Sequence, residues 1–105
     1  MSTLRELADR APDCLMAAWI DARTGDVAAV HPSDAGARYQ DALATSIEII
    51  RSPQRPGRTV MLSADLVYVL QRTASDSSRV LFLLSRRTAN LGVVVALVRG
   101  LAEAA

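Results

Sequence analysis

His31 is the chain's single histidine, and it sits beside Pro32, Ser33 and Asp34, so acid–base chemistry is the first possibility to weigh. A general base needs a nucleophile within reach and an acid to orient its ring, and adjacency in sequence aims neither Ser33 nor Asp34 at the imidazole. The segment reads instead as a loop or a helix cap. Arg55-Pro56-Gly57-Arg58 holds one glycine, and the chain has neither a Gly-x-x-x-x-Gly-Lys-Ser/Thr run nor any lysine for a P-loop contact. Nucleotide binding by the chain alone is therefore not expected. Carboxylates at Asp9, Asp13, Asp21, Asp26, Asp34, Asp41, Glu48, Asp65, Asp76 and Glu103 are scattered and lack the compact alternation of a calcium loop. A lone Cys14 excludes an internal disulfide and a multi-thiolate metal site. The expectation is a non-enzyme with no catalytic residue, no metal and no cofactor.

Binding chemistry has more to work with. Arg86 and Arg87 stand together after an apolar run, and Arg51, Arg55 and Arg58 surround a short central loop. Each group either meets an acidic partner or is a solvated turn. All 12 basic residues are arginine, a skew that with abundant alanine fits genomic base composition. A net charge of +1 gives no concentrated excess of cations, so nucleic acid is not expected. Trp19 alternates with apolar neighbours and reads as core, whereas Tyr39 opens a wide apolar arc and suits either core or partner contact.

These side chains need elements to hold them, and 105 residues allow one domain, residues 1–105. At 50% hydrophobic and 22% charged, the chain is slightly richer in apolar side chains than a monomer of this size needs, which points to a buried oligomer face. The N-terminus mixes charged with apolar residues and lacks the apolar core of a signal peptide. The longest apolar stretch, Val93 to Val98, falls far short of the roughly 20 residues that cross a bilayer. A soluble, cytoplasmic protein without membrane insertion is expected.

Thr3 and Glu6 have capping-box spacing, and Leu4, Leu7, Ala8 and Ala11 form the stripe of a short helix before Pro12. From Asp13 to Asp21 both parities are apolar, with Leu15, Ala17 and Trp19 on one face and Cys14, Met16, Ala18 and Ile20 on the other. Such a strand is covered on both sides. Asp21 to Asp26, with Gly25 suited to positive φ, turns the chain into a second strand at Val27–Val30. Ser33 is the expected N-cap of a long helix over 34–52 that Pro53 ends. Tyr39, Ala42, Leu43, Ser46, Ile47, Ile49 and Ile50 occupy roughly 160° of its circumference, wider than one contact requires. Ala42 and Ile49 lie on the flank of that arc. Strands are expected at 59–64, 66–72 and 80–84. Val93-Val94-Val95 favours strand by propensity, yet Leu91, Val94, Val95, Val98, Leu101 and Ala102 also fit a helical stripe.

The run Val80-Leu81-Phe82-Leu83-Leu84, the turn Ser85-Arg86-Arg87-Thr88-Ala89 and the Asn90-Leu91-Gly92 opening of the last segment resemble the closing strand and helix of the Roadblock/LC7 family. Cys14 to Asp21 with Thr24-Gly25 resembles its first strand and turn. This family comprises small dimeric modules associated with Ras-like GTPases, among them dynein light chain roadblock-like proteins and bacterial gliding-motility regulators. The resemblance implies a helical final segment and an α+β fold, α-β-β-α-β-β-β-α, whose five-stranded antiparallel sheet carries packed helices, related to longin and profilin-like folds. It implies a homodimer joined by helix 34–52 and strand 59–64, with Tyr39, Ala42, Ser46, Ile49, Ile50, Val60, Met61 and Leu62 as interface candidates. Arg38, Gln40, Asp41 and Glu48 are candidates for contact with a partner. Its functional implication is a non-enzymatic scaffold or regulator of a small Ras-like GTPase. The alternatives are a small-ligand sensory module of profilin-like architecture and a structural subunit of a motility or transport assembly without GTPase contact.

Overall fold

The computed structural model describes residues 3–52, 57–73, 75–76 and 78–104. At its centre lies β5 (Arg79–Arg86), in which every residue from Val80 to Ser85 is buried. A strand points alternate side chains to opposite faces, so an unbroken buried run needs cover on both sides. The antiparallel sheet runs in the order β2-β1-β5-β4-β3, with β1 at Cys14–Asp21, β2 at Val27–His31, β3 at Arg58–Leu62 and β4 at Leu66–Arg72. Helices α1 (Leu4–Arg10) and α4 (Leu91–Ala104) cover one face, where Leu4, Leu7, Ala17, Leu81, Leu83, Val94 and Val98 are buried together. Helices α2 (Ala35–Arg38) and α3 (Gln40–Ile50) cover the other, over Met16, Ile20, Leu43, Leu70, Phe82 and Leu84. Tyr68 and Phe82 stack there with ring centroids 6.0 Å apart.

Local chemistry sets the ends of the elements. The Thr3 hydroxyl accepts the Glu6 amide at 3.2 Å and caps α1, as its spacing predicts. The Asn90 carboxamide oxygen accepts the Val93 amide at 3.2 Å and opens α4. That helix forms despite its β-branched run because Val94, Val98, Leu101 and Ala102 fall on one stripe that the sheet buries. At the far end of α3, the Arg72 guanidinium donates to the Ile50 carbonyl at 2.9 Å, which places a cation at a helix C-terminus.

Three sequence expectations need correction. The helix expected over 34–52 is two helices, broken at Tyr39 (φ −114°, ψ 39°), and Asp34 rather than Ser33 stands at its N-cap. Asp34 makes no capping bond, because its carboxylate accepts from Arg38 at 3.2 Å instead. Pro53, the expected helix stop, lies outside the described residues, as does Arg55. The strand expected to reach Ala64 ends at Leu62, where the Ser63 hydroxyl accepts the Leu66 amide at 3.1 Å and starts the turn into β4. Third, strict alternation fails at the start of β1. The register with β5 slips between Cys14 and Met16, so Cys14 packs with the α1/α4 layer and Leu15 joins Met16 on the α3 side. An extra residue in one strand re-aims its neighbours.

The β1–β2 turn follows its sequence closely. Asp21 accepts the Arg23 amide at 2.8 Å, and Gly25 (φ +78°) donates to the Asp21 carbonyl at 2.8 Å. The Arg23 amide and then its side chain hold the Asp21 carboxyl below the usual carboxylate range. A Cβ at Gly25 would approach Ile47 Cγ2 to 3.2 Å in a backbone conformation that L residues rarely adopt.

Gly25→Ala is therefore expected to destabilise the protein by about 1–2 kcal/mol, read by urea denaturation with an unchanged m-value. A second prediction concerns Cys14, whose burial pushes its thiol from the ordinary 9.0 up to about 11, the Asp9 charge adding to the effect and a Met16 backbone hydrogen bond opposing it. Native protein at pH 8 should react with Ellman's reagent far more slowly than protein in urea. Because the unfolded thiol ionises first, stability should decline as pH climbs from the ordinary 9.0 towards about 11.

Candidate functional site

The polar residues around His31 do not assemble. His31 is half-buried at the end of β2, Ser33 is exposed and Asp34 is engaged with Arg38. No hydrogen bond joins His31 to Ser33 or Asp34 among the described residues, and no group of three His, Cys, Asp or Glu side chains is placed to hold a metal ion there.

The surfaces with binding potential are the two sheet edges and the outer side of α3. A free edge strand offers unpaired amides and carbonyls to any strand that reaches it. At β2 the ladder slips between Trp19 and Ile20, and α1 and α2 both reach over the strand. At β3 the five residues pair with β4 in unbroken register from Arg58 to Leu62, with Met61 packed against the α3-side core. The burial of β3 alternates, with Thr59 and Met61 half-buried and Val60 and Leu62 exposed at 39% and 47%. Val60 and Leu62 lie opposite Val69 and Val67, on the sheet face that α4 covers only further inboard. Arg58 is the one charged residue of β3, and its guanidinium donates to Gln71 Oε1 at 2.8 Å.

The arc read from the sequence divides in the structure. Ala42, Leu43, Ser46 and Ile50 are buried against the chain's own sheet, and the Ser46 hydroxyl donates to the Leu43 carbonyl at 2.7 Å. Ala42, Ser46 and Ile50 are thus core residues rather than surface ones. Tyr39, Ile47 and Ile49 are half-buried on the flanks. Ile47 leans on the β1–β2 turn beside Gly25, whereas Ile49 leans towards β3 with Thr59 and Leu70. Alternation of polar and apolar residues marks a wide arc but not its bearing on the sheet, so Ala42, expected on the flank, lies inside.

Gln40, Asp41, Ala44 and Glu48 form the solvent stripe of α3, continued by Arg51 at its C-cap, so three of the four candidates for partner contact share one face. The fourth, Arg38, lies on α2 in an exposed ion pair with Asp34 at 3.2 Å. Such a pair contributes little to stability, about 0–1 kcal/mol. Trp19 packs at the border of the α1/α4 core with the Arg79 guanidinium 4.3 Å above its ring. That is an anchoring contact within the chain. Arg87 donates to the Ser63 carbonyl at 2.6 Å and ties the start of the last loop to the β3–β4 turn.

No protein-family model matches the chain. No curated protein matches it in sequence. Solved structures do match along nearly its full length. It superimposes on a Roadblock/LC7 domain from Streptomyces avermitilis with a TM-score of 0.71 at 18% identity, covering 96% of this chain and 89% of the other. MglC from Myxococcus xanthus gives 0.69 at 14% identity, covering 94% and 89%. An MglB structure described as a tetrameric arrangement gives 0.68 at 19% identity, covering 96% and 80%. The strand order, the two helical layers and these superpositions agree, and the chain has the Roadblock/LC7 fold.

Proposed function

We propose that this chain acts as a non-enzymatic homodimer, a scaffold or regulator for a small Ras-like GTPase. The observation that carries the dimer is the edge of β3, which runs without a bulge, bears one charge, and exposes Val60 and Leu62. A strand of this kind invites pairing with a second strand, and pairing with its own copy across a two-fold axis closes the assembly. Antiparallel β3–β3 pairing joins the two sheets into one. It brings Ile49 and the exposed side of α3 towards the partner's α3, beside Tyr39 and Met61. The proposed interface is therefore narrower than the sequence suggests, resting on Tyr39, Ile49, Val60, Met61 and Leu62, with Ala42, Ser46 and Ile50 supporting it from the core.

The GTPase rests on the resemblance to the Roadblock/LC7 family and on the likeness in fold to MglC and MglB. Regulation would work by differential affinity: a dimer surface that binds one conformation of the switch loops better than another shifts their populations by that difference. Gln40, Asp41 and Glu48 are the polar groups on α3 best placed to read such a surface.

In size-exclusion chromatography with light scattering, the chain should run as a dimer at tens of micromolar. Val60→Glu and Ile49→Glu should each yield a monomer with an unchanged circular dichroism spectrum. Ala42→Glu should instead lower the stability of the fold itself by about 3 kcal/mol, since it buries a charge. A monomeric parent protein would remove the dimer. A GTPase recovered from the source organism should bind the dimer with different affinity in its GTP-analogue and GDP states, because linkage allows no regulation at equal affinity. Equal affinities would leave a scaffold and remove the regulator.

A further inference from the structure

At the corner of the sheet where β1 begins and β5 ends, Leu15, Tyr39, Ala64, Leu66, Arg86 and Arg87 line a shallow open cleft of about 560 Å³, with Asp65 and Thr88 at its rim. Its floor is apolar on the α3 side of the sheet. Leu66 and Arg86 are cross-strand neighbours, and the bulge at the start of β1 turns Leu15 onto the same face. Tyr39, at the break between α2 and α3, sets a half-buried phenol at its wall. The corner is braced from below: Asp13, at φ 53°, accepts the Arg86 amide at 3.1 Å through its carbonyl and the Thr88 hydroxyl at 3.0 Å through its carboxylate.

The charges around this floor differ in their availability. Arg87 already donates to the Ser63 carbonyl. The Arg86 guanidinium has no hydrogen-bond or ion-pair partner among the described residues, and it projects from the face that carries the apolar floor. With Asp65 as the one carboxylate lining the cleft, the balance is two guanidiniums to one acid. An exposed guanidinium beside apolar and aromatic surface fits a carboxylate that arrives with an apolar neighbour.

We infer that this cleft is a docking site for an acidic peptide segment of a protein partner, with one Asp or Glu seated on Arg86 and an adjacent Leu, Ile or Phe resting on Leu15, Leu66 and the Tyr39 ring. An extended segment suits the cleft better than a compact small molecule, which needs most of its surface enclosed. The cleft shares Tyr39 with the proposed dimer interface, whereas Arg86, Leu15 and Leu66 lie outside that interface, and the site does not depend on the GTPase.

The test is selection of a random twelve-residue peptide library on phage against the full chain, followed by fluorescence anisotropy with the synthetic winners. The expected result is a consensus with an acidic residue beside a large apolar one, and about a tenfold or greater loss of affinity on Arg86→Gln that Arg86→Lys partly restores. In NMR titrations the Tyr39 ring and Leu15 methyl signals should shift. Three results would overturn the proposal: no enrichment, a consensus without acidic residues, or winners that bind Arg86→Gln as tightly as the parent. Displacement of the winners by inorganic phosphate at concentrations that leave ionic strength unchanged would also overturn it, making the corner a simple anion site. Val60→Glu keeps the readouts distinct, since a monomer that retains peptide affinity separates this site from the dimer edge.

Discussion

Burial of β5 on both faces is the constraint from which the rest of the molecule follows. Val80 to Ser85 are all hidden, and no single helical layer can hide both parities of a strand. Two layers are therefore required, and the chain supplies them from its two ends and its middle: α1 with α4 on one side, α2 with α3 on the other. Just over half of the large apolar side chains are fully buried in this way. Sheet edges, helix outer faces and corners are left to meet anything else.

Those leftovers are not equivalent. The β2 edge is interrupted by a bulge and approached by helices from both faces, whereas the β3 edge is regular and held mainly by β4. Exposed Val60 and Leu62 continue the apolar surface of the α4 side past the point where α4 stops covering it. An interface placed there extends a core already built inside the protomer. Small domains bury a lower fraction of their surface than large ones, so association at such an edge adds burial that 105 residues alone do not provide.

Three of the backbone irregularities among the described residues lie near one corner. Asp13 takes a left-handed conformation, the β1–β5 ladder slips beside Leu15, and the helical layer breaks at Tyr39. Each departs from ideal geometry locally, and an apolar floor lies beside them next to Arg86.

Much of the fold was legible in the residues. The Thr3 cap, the Asp21–Gly25 turn, the two-sided burial of β1 and the stripe of α4 are local or periodic signals, and local hydrogen bonding and side-chain period act on neighbours that the sequence displays. The split at Tyr39, the exchange of Cys14 and Leu15 between faces and the burial of Ala42, Ser46 and Ile50 were not legible, because each depends on how one element seats on another. A wheel shows which residues share a side of a helix, but only the sheet beneath decides which part of that side is inside. For the same reason the sequence exposed Arg86 as one of two adjacent cations, and only tertiary structure separated Arg87, bonded to Ser63, from Arg86, left facing an apolar floor. Composition and period marked the strands and the helical stripes, the family resemblance implied the antiparallel sheet, and long-range packing decided which surfaces remain for a partner.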